Sequence, residues 1–245
     1  MNIKDFFKEN KKVAVAFSGG VDSAYLLFLA GKYAEQTTAY YVNSQFQPAF
    51  ELEDVKRLSA ELDVPLRIIE LDVLAHDKIR ANTDLRCYYC KKVIFSAIQQ
   101  EAYADGYTTI IDGTNASDDA DDRPGMKALS EKKILSPLRL CGLTKDEIRR
   151  LSKSEGLFTH NKPAYACLAT RIKPYEEITE EALRTVENKE EFMKSLGFSD
   201  HRFRISQHET TILIKKEQEP LYLKHKNILN TMADKIAIRE ERLCE

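Results

Sequence analysis

Apolar and polar positions follow two alternating patterns along the first half of the chain. Short β-prone runs occur at 13–17, 38–42, 66–71 and 109–111, and segments with helical spacing lie between them at about 24–29, 50–62 and 88–104. Strands that alternate with helices are typical of a parallel sheet covered by helices on both faces. The first half is therefore predicted to be an α/β domain.

The pattern changes in the second half. Thr144 and Glu147 have the spacing of a capping box, which predicts a helix that ends near Glu155, before Gly156. A charged helix is predicted over 179–196, strands over 202–214, and an amphipathic stretch from 219 onward. We place the domain boundary so that residues 1–174 form the α/β domain and residues 175–245 a small second domain of strands and helix.

Composition restricts the class of protein. The 245 residues are 43% hydrophobic and carry a formal net charge of −2, which gives no overall basic field for extended nucleic-acid binding. The first residues lack the apolar core of a signal peptide, and no apolar run approaches the roughly 20 residues of a membrane helix. We therefore expect a cytoplasmic protein with a small-molecule substrate and neither a membrane nor a nucleic-acid partner. The acidic stretch 118–125 is predicted to be a surface loop.

A glycine-rich segment, Ser-Gly-Gly-Val-Asp-Ser at 18–23, separates the first strand run from the first helical run. Glycines at a helix start let an anion approach unpaired N–H groups, so a phosphate-binding loop is predicted. The Walker lysine and the dinucleotide-fingerprint spacing are absent. The segment instead resembles the SGGxDS loop of the PP-loop (N-type ATP pyrophosphatase) family, which implies cleavage of ATP to AMP and pyrophosphate. The alternative is an ordinary glycine-rich turn.

The predicted nucleotide site combines two loops. The residues expected to bind the ATP phosphates are Ser18, Gly19, Gly20, Val21, Asp22 and Ser23. Of these, Asp22 is the candidate Mg²⁺ ligand, because Mg²⁺ prefers few carboxylates together with phosphate oxygens. Ligands bind beyond the carboxyl ends of parallel strands, so the residues after the last strand run should line the same crevice. These are Asp112, Gly113, Thr114 and Asn115.

Three of the five cysteines are candidates for chemistry. Cys87 and Cys90 form a Cys-x-x-Cys pair, and Cys167 stands alone in a segment rich in Pro, Ala and Tyr. Three thiolates can hold three irons of a [4Fe-4S] cluster and leave the fourth iron open, but a redox dithiol or inert thiols fit the same spacing. Cys141 and Cys244 are expected to be packing or surface residues.

Five segments together resemble the LarE family of ATP-dependent sulfur transferases, over about residues 10–200. They are the loop at 18–23, RCYYCK at 86–91, DGTN at 112–115, SPLR at 136–139 and ACLATR at 166–171. The resemblance implies a PP-loop (adenine nucleotide α-hydrolase-like) domain, a small C-terminal α+β domain for substrate binding or oligomerisation, and a homo-oligomer. It also implies a nucleotide substrate, pyridinium-3,5-biscarboxylic acid mononucleotide, in synthesis of the nickel-pincer cofactor of lactate racemase. A substrate carboxylate attacks the α-phosphate of ATP, pyrophosphate leaves, and sulfur replaces the AMP-bearing oxygen.

Two sulfur sources occur in enzymes of this kind. In one, a single cysteine at the position of Cys167 gives up its own sulfur and becomes dehydroalanine. In the other, three cysteines hold a [4Fe-4S] cluster whose open iron carries an extra sulfide. We favour the cluster, because it explains Cys87 and Cys90 as well as Cys167.

Charged residues complete the predicted site. Arg139 and Arg171 are candidates to neutralise charge that develops at the α-phosphate. Arg202 and Arg204 alternate along a predicted strand and share a face, which suits a bound substrate phosphate, although a solvated strand face is the alternative. Either Glu190 or its neighbour Glu191 is a candidate acid or base.

Other functions fit parts of the sequence. A PP-loop tRNA thiolase would use the same ATP loop and the same three cysteines, but the basic or zinc-binding modules common in such enzymes are absent. An amide-forming ligase related to NAD or GMP synthetase would explain the loop but not Cys167. A non-catalytic nucleotide sensor is the least specific alternative. The segment from 205 to the end matches the LarE family poorly, so substrate contacts there are not predicted.

Overall fold

The computed structural model describes residues 2–118 and 124–240. Cys244 and most of the predicted acidic loop lie outside these residues. The helices are α1 (Ile3–Glu9), α2 (Val21–Tyr33), α3 (Ala49–Glu61), α4 (Asp77–Arg80), α5 (Arg86–Ala104), α6 (Pro124–Glu131), α7 (Pro137–Leu140), α8 (Lys145–Ser154), α9 (Glu180–Ser195) and α10 (Glu219–Met232). The strands are β1 (Lys12–Ala16), β2 (Gln36–Asn43), β3 (Leu66–Glu70), β4 (Thr109–Asp112), β5 (His201–Ile205), β6 (Thr210–Lys215) and β7 (Lys235–Arg239). Short 3₁₀ helices span Phe158–Asn161, Leu168–Arg171 and Lys216–Gln218.

The described chain forms two compact units. The first contains Met1–Asp72 and Cys87–Lys162, and the second contains Val73–Arg86 and Pro163–Glu245. The division at 162/163 differs from the predicted division at 174/175, and Val73–Arg86 joins the second unit. Asn82 shows why, because its buried amide donates hydrogen bonds to the carbonyls of Ile172 (3.3 Å) and Lys173 (2.9 Å). Bonds between residues so far apart in sequence leave no local pattern.

The first unit is built on a four-stranded sheet in the order β3-β2-β1-β4, with every pair parallel. This arrangement confirms the predicted α/β fold. In the register of the sheet, Ala16 at the end of β1 lies opposite Tyr40 of β2 and Asp112 at the end of β4. The carboxyl ends of β1 and β4 therefore stop side by side, and the loops that follow them are neighbours.

Alternate residues of the central strands enter two different cores in the first unit. Val13 and Val15 pack with buried residues of α2 and α3, whereas Ala14 packs with Phe95 and Ile98 of α5. Successive side chains of a strand point to opposite faces, so the sheet is covered on both sides. Each fully buried valine, isoleucine or phenylalanine side chain stabilises the fold by roughly 1.5–3 kcal/mol. The two cores therefore hold the ends of the strands in place.

The second unit contains a mixed sheet in the order β5-β6-β7. Strands β5 and β6 are antiparallel, and β6 and β7 are parallel. Helix α9 buries Leu183, Val186 and Met193, and Phe203 of β5 is also buried. The small C-terminal α+β domain is thus confirmed, but β7 is not predicted because five residues after a helix carry only a weak strand signal. Among the described residues, every helix is too short or too polar to span a bilayer.

Candidate active site

The loop at 18–23 connects β1 to α2 and is shaped by hydrogen bonds among its own residues. Gly20 is the N-cap of α2, so the first N–H groups of the helix face the loop. The Ser18 N–H donates to Ser23 Oγ at 3.3 Å, and Ser23 Oγ donates to the carbonyl of Gly20 at 3.2 Å. Gly19 adopts a φ of +73°, and a Cβ there would lie 2.9 Å from Val55 Cγ2. The geometry is that of a helix-start anion site.

Val21, the fourth residue of this loop, differs from its neighbours. Its side chain is buried in the core of the first unit. It therefore contributes to the predicted phosphate site only through its backbone, at the first position of α2.

The segment 112–115 lies directly against this loop. A Cβ on Gly113 would be 2.7 Å from the backbone nitrogen of Ser23 and 2.9 Å from its Cα, so a glycine is required for the two loops to approach this closely. Asp112 accepts hydrogen bonds from Thr114 Oγ1 and Ser136 Oγ, each at 2.6 Å. The structure brings together the two loops that the parallel sheet predicts as neighbours.

A cavity of about 330 Å³ opens between these loops in the first unit. Its polar wall comes from both loops and its apolar wall from β2 and α5. The lining residues include Ser18, Gly20, Asp22, Ser23, Asp112, Gly113, Thr114, Tyr40, Tyr41, Val42, Phe95 and Ile98. The volume is at the lower end of the range for small-molecule sites. Its mixed wall fits a nucleotide, with phosphates at the helix start and the base against apolar side chains.

Asn115 and Arg139 lie behind this wall. The Asn115 side-chain oxygen accepts from the Ser117 N–H at 2.8 Å, and Arg139 Nη1 donates to the carbonyl of Asp118 at 3.1 Å. Both hydrogen bonds shape the loop after β4. Arg139 thus holds the loop in this structure, and its predicted contact with the α-phosphate stays a prediction.

Asp22 is the single carboxylate of the loop at 18–23. Its Oδ2 accepts a hydrogen bond from Lys145 Nζ at 2.5 Å, while its buried Oδ1 has no hydrogen-bond partner within 2–118 and 124–240. Burial raises the pKa of Asp22 above its usual value, although Lys145 opposes this shift. A buried carboxylate oxygen without a partner beside a phosphate loop fits a Mg²⁺ ligand. The predicted role of Asp22 is compatible with this geometry.

Two lysines contact the phosphate loop without having been predicted as site residues. Lys145, the first residue of α8, binds Asp22, and Lys162 Nζ donates to the Gly19 carbonyl at 3.1 Å and to Asp54 at 2.8 Å. A lysine at a helix start is electrostatically unfavourable because it opposes the helix dipole. The position of Lys145 in the sequence could therefore have indicated that its charge has a partner outside the helix. Lys162 carried no such signal, because its partners are distant in sequence.

Cys167 lies at the N-cap of a short 3₁₀ helix in the second unit and is half-buried. Arg171 fixes the backbone on both sides of it, since Nη1 donates to the carbonyls of Ala166 (2.6 Å) and Cys167 (3.3 Å). Arg171 also donates to Glu190 through Nε (2.9 Å) and Nη2 (3.1 Å). This buried guanidinium is bound by protein groups, and its predicted contact with the α-phosphate stays a prediction.

Glu190 is the counter-ion of this arrangement. It is 5% exposed and accepts further hydrogen bonds from Tyr165 OH (2.5 Å) and the Phe203 N–H (2.9 Å). Burial alone would raise the pKa of Glu190, but the hydrogen bonds and charge of Arg171 hold it below its usual value. Its neighbour Glu191 is exposed. Of the two candidates, Glu190 is thus the buried one, and its predicted role as an acid or base stays a prediction.

Arg202 and Arg204 occupy β5 in the second unit. Arg202 is buried and donates to Asp200 (3.1 Å), to the carbonyl of His201 (2.6 Å) and to the carbonyl of Ala164 (2.9 Å). Arg204 is half-buried, and burial together with the charges of nearby arginines lowers its pKa. Arg202 therefore helps to order the segment that leads to Cys167, and Arg204 lies in a cationic environment.

Cys87 and Cys90 lie in the first turn of α5, in the first unit. The spacing of three residues places them on one helix face, where Cys87 is exposed and Cys90 half-buried. The residue before them, Arg86, belongs to the second unit and donates to the carbonyl of Ala169 at 3.0 Å. Among the described residues, no group of three or more His, Cys, Asp or Glu side chains is arranged to hold a metal ion. The predicted cluster, whose ligands come from both units, stays a prediction.

Comparison with known proteins agrees with this geometry. A family model described as a PP-loop domain matches residues 1–122. Together with the parallel sheet and the loop at 18–23, this match defines the class of the protein as a PP-loop ATP-binding protein.

Relatives narrow the class to a family. The chain is 35% identical over 221 residues to an uncharacterized protein of Synechocystis sp., covering 89% of this chain and 81% of the relative. It is 33% identical over 201 residues to the pyridinium-3,5-bisthiocarboxylic acid mononucleotide synthase of Lactiplantibacillus plantarum, covering 80% and 72%. The chain therefore belongs to the LarE family of PP-loop proteins.

A more distant similarity links the chain to enzymes named for tRNA. It is 26% identical over 187 residues to the tRNA-specific 2-thiouridylase MnmA of Pseudothermotoga lettingae, covering 62% of this chain and 54% of the relative. The PP-loop domain is thus shared with sulfur-transferring enzymes of another substrate class.

Proposed function

We propose that this protein is an ATP-dependent sulfur transferase that adenylylates the carboxylates of pyridinium-3,5-biscarboxylic acid mononucleotide and replaces a carboxylate oxygen by sulfur. The L. plantarum relative is named as the synthase of a bisthiocarboxylic acid mononucleotide, which supports the product class. The observation that carries the proposal is that the chain contains both a phosphate loop of the ATP type and a cysteine whose backbone is held by a buried, ion-paired arginine.

The first half of the proposed reaction is adenylylation. A substrate carboxylate oxygen attacks the α-phosphorus of ATP, the bond to the bridging oxygen of pyrophosphate breaks, and an acyl-adenylate forms. The N–H groups at the start of α2 would bind the phosphates, and Asp22 would hold Mg²⁺. When bound, Mg²⁺ supplies positive charge to the leaving pyrophosphate.

The second half is sulfur transfer at Cys167. In the sacrificial route, the Cys167 thiolate attacks the acyl carbon and displaces AMP to give a thioester. Loss of the Cα proton and cleavage of the Cβ–S bond then release the thiocarboxylate and leave dehydroalanine. The contacts of Arg171 to both carbonyls around Cys167 support this role, because they fix the backbone that carries the thiol.

The cluster route stays a prediction. Three cysteine thiolates are chemically suitable ligands for a [4Fe-4S] cluster, and the residues that would hold it are Cys87, Cys90 and Cys167. We derive no step through a cluster.

The proposed substrate also carries a phosphate. Arg204, in its cationic surroundings on β5, is the side chain we propose for that phosphate, since an anion would relieve the repulsion among the arginines there. Arg202 lies on the same face of β5, two residues before Arg204, and adds positive charge near the proposed phosphate. The homo-oligomer implied by the LarE resemblance stays a prediction.

The experiment incubates the protein with Mg²⁺, ATP and the biscarboxylate mononucleotide, and measures pyrophosphate and thiocarboxylate separately. Wild type should release pyrophosphate and form thiocarboxylate. Cys167→Ser should still release pyrophosphate but form no thiocarboxylate, while Cys141→Ser serves as the matched control with both products. Thiocarboxylate formation by Cys167→Ser would contradict the assignment of Cys167.

A second measurement decides the sulfur source. Iron and acid-labile sulfide are determined in anaerobically purified wild type, Cys87→Ala and Cys167→Ala, and the mass of the wild-type chain is recorded after one turnover. Iron and sulfide that are lost in both variants would establish the cluster. Loss of the elements of H₂S from Cys167, without iron, would establish the sacrificial route.

A further inference from the structure

The stretch between β3 and α5, Val73–Arg86, binds the segment that follows Cys167 in the second unit. Its hydrogen bonds run in antiparallel order, because residues that come later in one segment pair with residues that come earlier in the other. The bonds join Arg86 to Ala169 (3.0 Å), Asn82 to Tyr175 (2.9 Å) and Arg80 to Ile178 (2.9 Å). Ala169 lies two residues after Cys167, so the Arg86 bond is the one of these three that lies nearest the thiol in sequence.

Asn82 is the buried centre of this pairing. Its φ is +53°, in the left-handed region that asparagine adopts more readily than most residues, and it is 1% exposed. The Asn82 side chain donates through Nδ2 to the carbonyls of Ile172 and Lys173, and its Oδ1 accepts from Arg86 Nη1. The amide therefore fixes the position of the Arg86 guanidinium.

Arg86 carries its charge at the unfavourable end of a helix. It is the first residue of α5, where a cation opposes the helix dipole. Its guanidinium donates instead to the Ala169 carbonyl, in the 3₁₀ helix Leu168–Arg171 that has Cys167 as its N-cap. A charge-assisted hydrogen bond to the backbone beside the thiol thus offsets the cost at α5.

Two arginines therefore hold the backbone around Cys167. Arg171 donates to the carbonyls of Ala166 and Cys167, and Arg86 donates to the carbonyl of Ala169. Ala169 is completely buried, so its carbonyl depends on partners from the protein. Loss of the Arg86 bond should shift the short helix and with it the thiol, and a displacement of about 1 Å at a reacting atom can slow a reaction roughly a hundredfold.

We propose that Arg86, held by Asn82, is a positioning residue that sets the direction of the Cys167 thiol for sulfur transfer. This inference rests on the proposed function and deepens it, because it concerns the second half of the reaction alone. The predicted phosphate-binding residues at 18–23 belong to the first unit, so adenylylation should not depend on Arg86. A residue that only stabilises the fold would affect both halves of the reaction.

The test compares Arg86→Met with Arg80→Met, the matched control from the same stretch. The Arg80 side chain is 41% exposed and pairs with Glu177 at 2.8 Å, farther along the chain from Cys167 than Ala169 is. The protein is incubated with Mg²⁺, ATP and the biscarboxylate mononucleotide, and the pyrophosphate burst of the first turnover is measured beside the rate of thiocarboxylate formation. Arg86→Met should form thiocarboxylate about tenfold to a hundredfold more slowly, with an unchanged pyrophosphate burst and an unchanged KM for the mononucleotide. Arg80→Met should match wild type in all three quantities.

Two further variants keep the test decisive if Arg86→Met folds poorly. Asn82→Gly permits the left-handed backbone and removes only the side chain that holds Arg86, so it should slow thiocarboxylate formation while leaving the pyrophosphate burst unchanged. Arg86→Lys keeps a charged donor for the Ala169 carbonyl and should recover most of the rate that Arg86→Met loses.

A structural role predicts a different result. Proportional loss of the pyrophosphate burst and of thiocarboxylate in Arg86→Met and Asn82→Gly would overturn the proposal, as would wild-type rates of thiocarboxylate formation in both variants. If wild type itself forms no thiocarboxylate, the proposed function fails together with this inference. Normal formation by wild type confines a failure to Arg86.

Discussion

Removing the charge of Glu190 tests how the second unit holds Cys167. The change is Glu190→Gln, which preserves the size of the side chain. The carboxylate is 5% exposed and accepts hydrogen bonds from Arg171 at 2.9 and 3.1 Å, from Tyr165 at 2.5 Å and from the Phe203 N–H at 2.9 Å. Glutamine leaves the Arg171 cation buried without a counter-ion and turns an amide N–H₂ toward groups that donate.

The expected cost follows from this geometry. Breaking a buried ion pair by removing one partner typically costs about 3–5 kcal/mol, which is a large part of the 5–15 kcal/mol that stabilises an ordinary domain. Glu190→Gln should therefore lower the unfolding free energy of the second unit by about that amount. Glu191→Gln is the matched control, because Glu191 is exposed and a surface substitution costs within about 0.5 kcal/mol.

The assay is urea unfolding followed by far-ultraviolet circular dichroism, with thiocarboxylate formation measured on the same samples at low urea. The Arg171→Met, Glu190→Leu double variant should recover stability relative to Glu190→Gln, since an apolar pair leaves no buried charge. Because the Cys167 backbone would lose its Arg171 contacts, the double variant should remain slow in sulfur transfer. A cost below about 1 kcal/mol for Glu190→Gln would refute the assignment of this ion pair as the support of Cys167.

Three further outcomes follow from the same structure. Gly113→Ala should lower the free energy of unfolding by about 1–3 kcal/mol and weaken ATP binding at least several-fold, because the new Cβ would lie 2.7 Å from the Ser23 backbone nitrogen. Calorimetry and an ATP titration measure the two effects, and the control Gly31→Ala, whose Cβ would meet only a valine side chain, should be nearly neutral. The pKa of Glu190 lies below its usual 4.5, so the stabilisation of the fold by this carboxylate is complete above about pH 4.5 and is lost as the pH falls through the lowered value. In urea unfolding at several pH values, Glu190→Gln should lack this loss of stability at acid pH, and the same dependence of the unfolding free energy on pH in wild type and variant would contradict it. Lys162→Met should weaken ATP binding and lower the free energy of unfolding by about 1–3 kcal/mol, because the Gly19 carbonyl loses its hydrogen bond. The exposed Lys56→Met is the control and should change neither quantity, and equal ATP affinities of the two variants would contradict a role of Lys162 in the phosphate loop.

The first unit could be predicted well because its signals are local. The strand at Lys12–Ala16, the glycine loop and the helix at Val21–Tyr33 follow one another within 22 residues, so each is visible in a short window. The rule that ligands lie at the carboxyl ends of parallel strands then places the loop after β4 beside it. Register confirms this placement, with Ala16 opposite Asp112.

The rest depends on contacts between residues far apart in sequence. Val73–Arg86 joins the second unit through bonds such as Asn82 to Lys173, and no local pattern shows this. Arg171 and Glu190 are both predicted as site residues from the sequence, but the ion pair between them is not predicted. Both side chains are buried and bound to one another across 19 residues of sequence, so no local pattern shows their contact.

The central claim is that the protein uses ATP to adenylylate a carboxylate of a small nucleotide. Its most direct test measures pyrophosphate release from ATP and Mg²⁺ in two parallel reactions, one with pyridinium-3,5-biscarboxylic acid mononucleotide and one with unmodified tRNA. We predict release that depends on the mononucleotide and is accompanied by a sulfur-for-oxygen mass change in it, with no stimulation by tRNA. Release that depends on tRNA, with no change in the mononucleotide, would contradict the account and favour a tRNA thiolase.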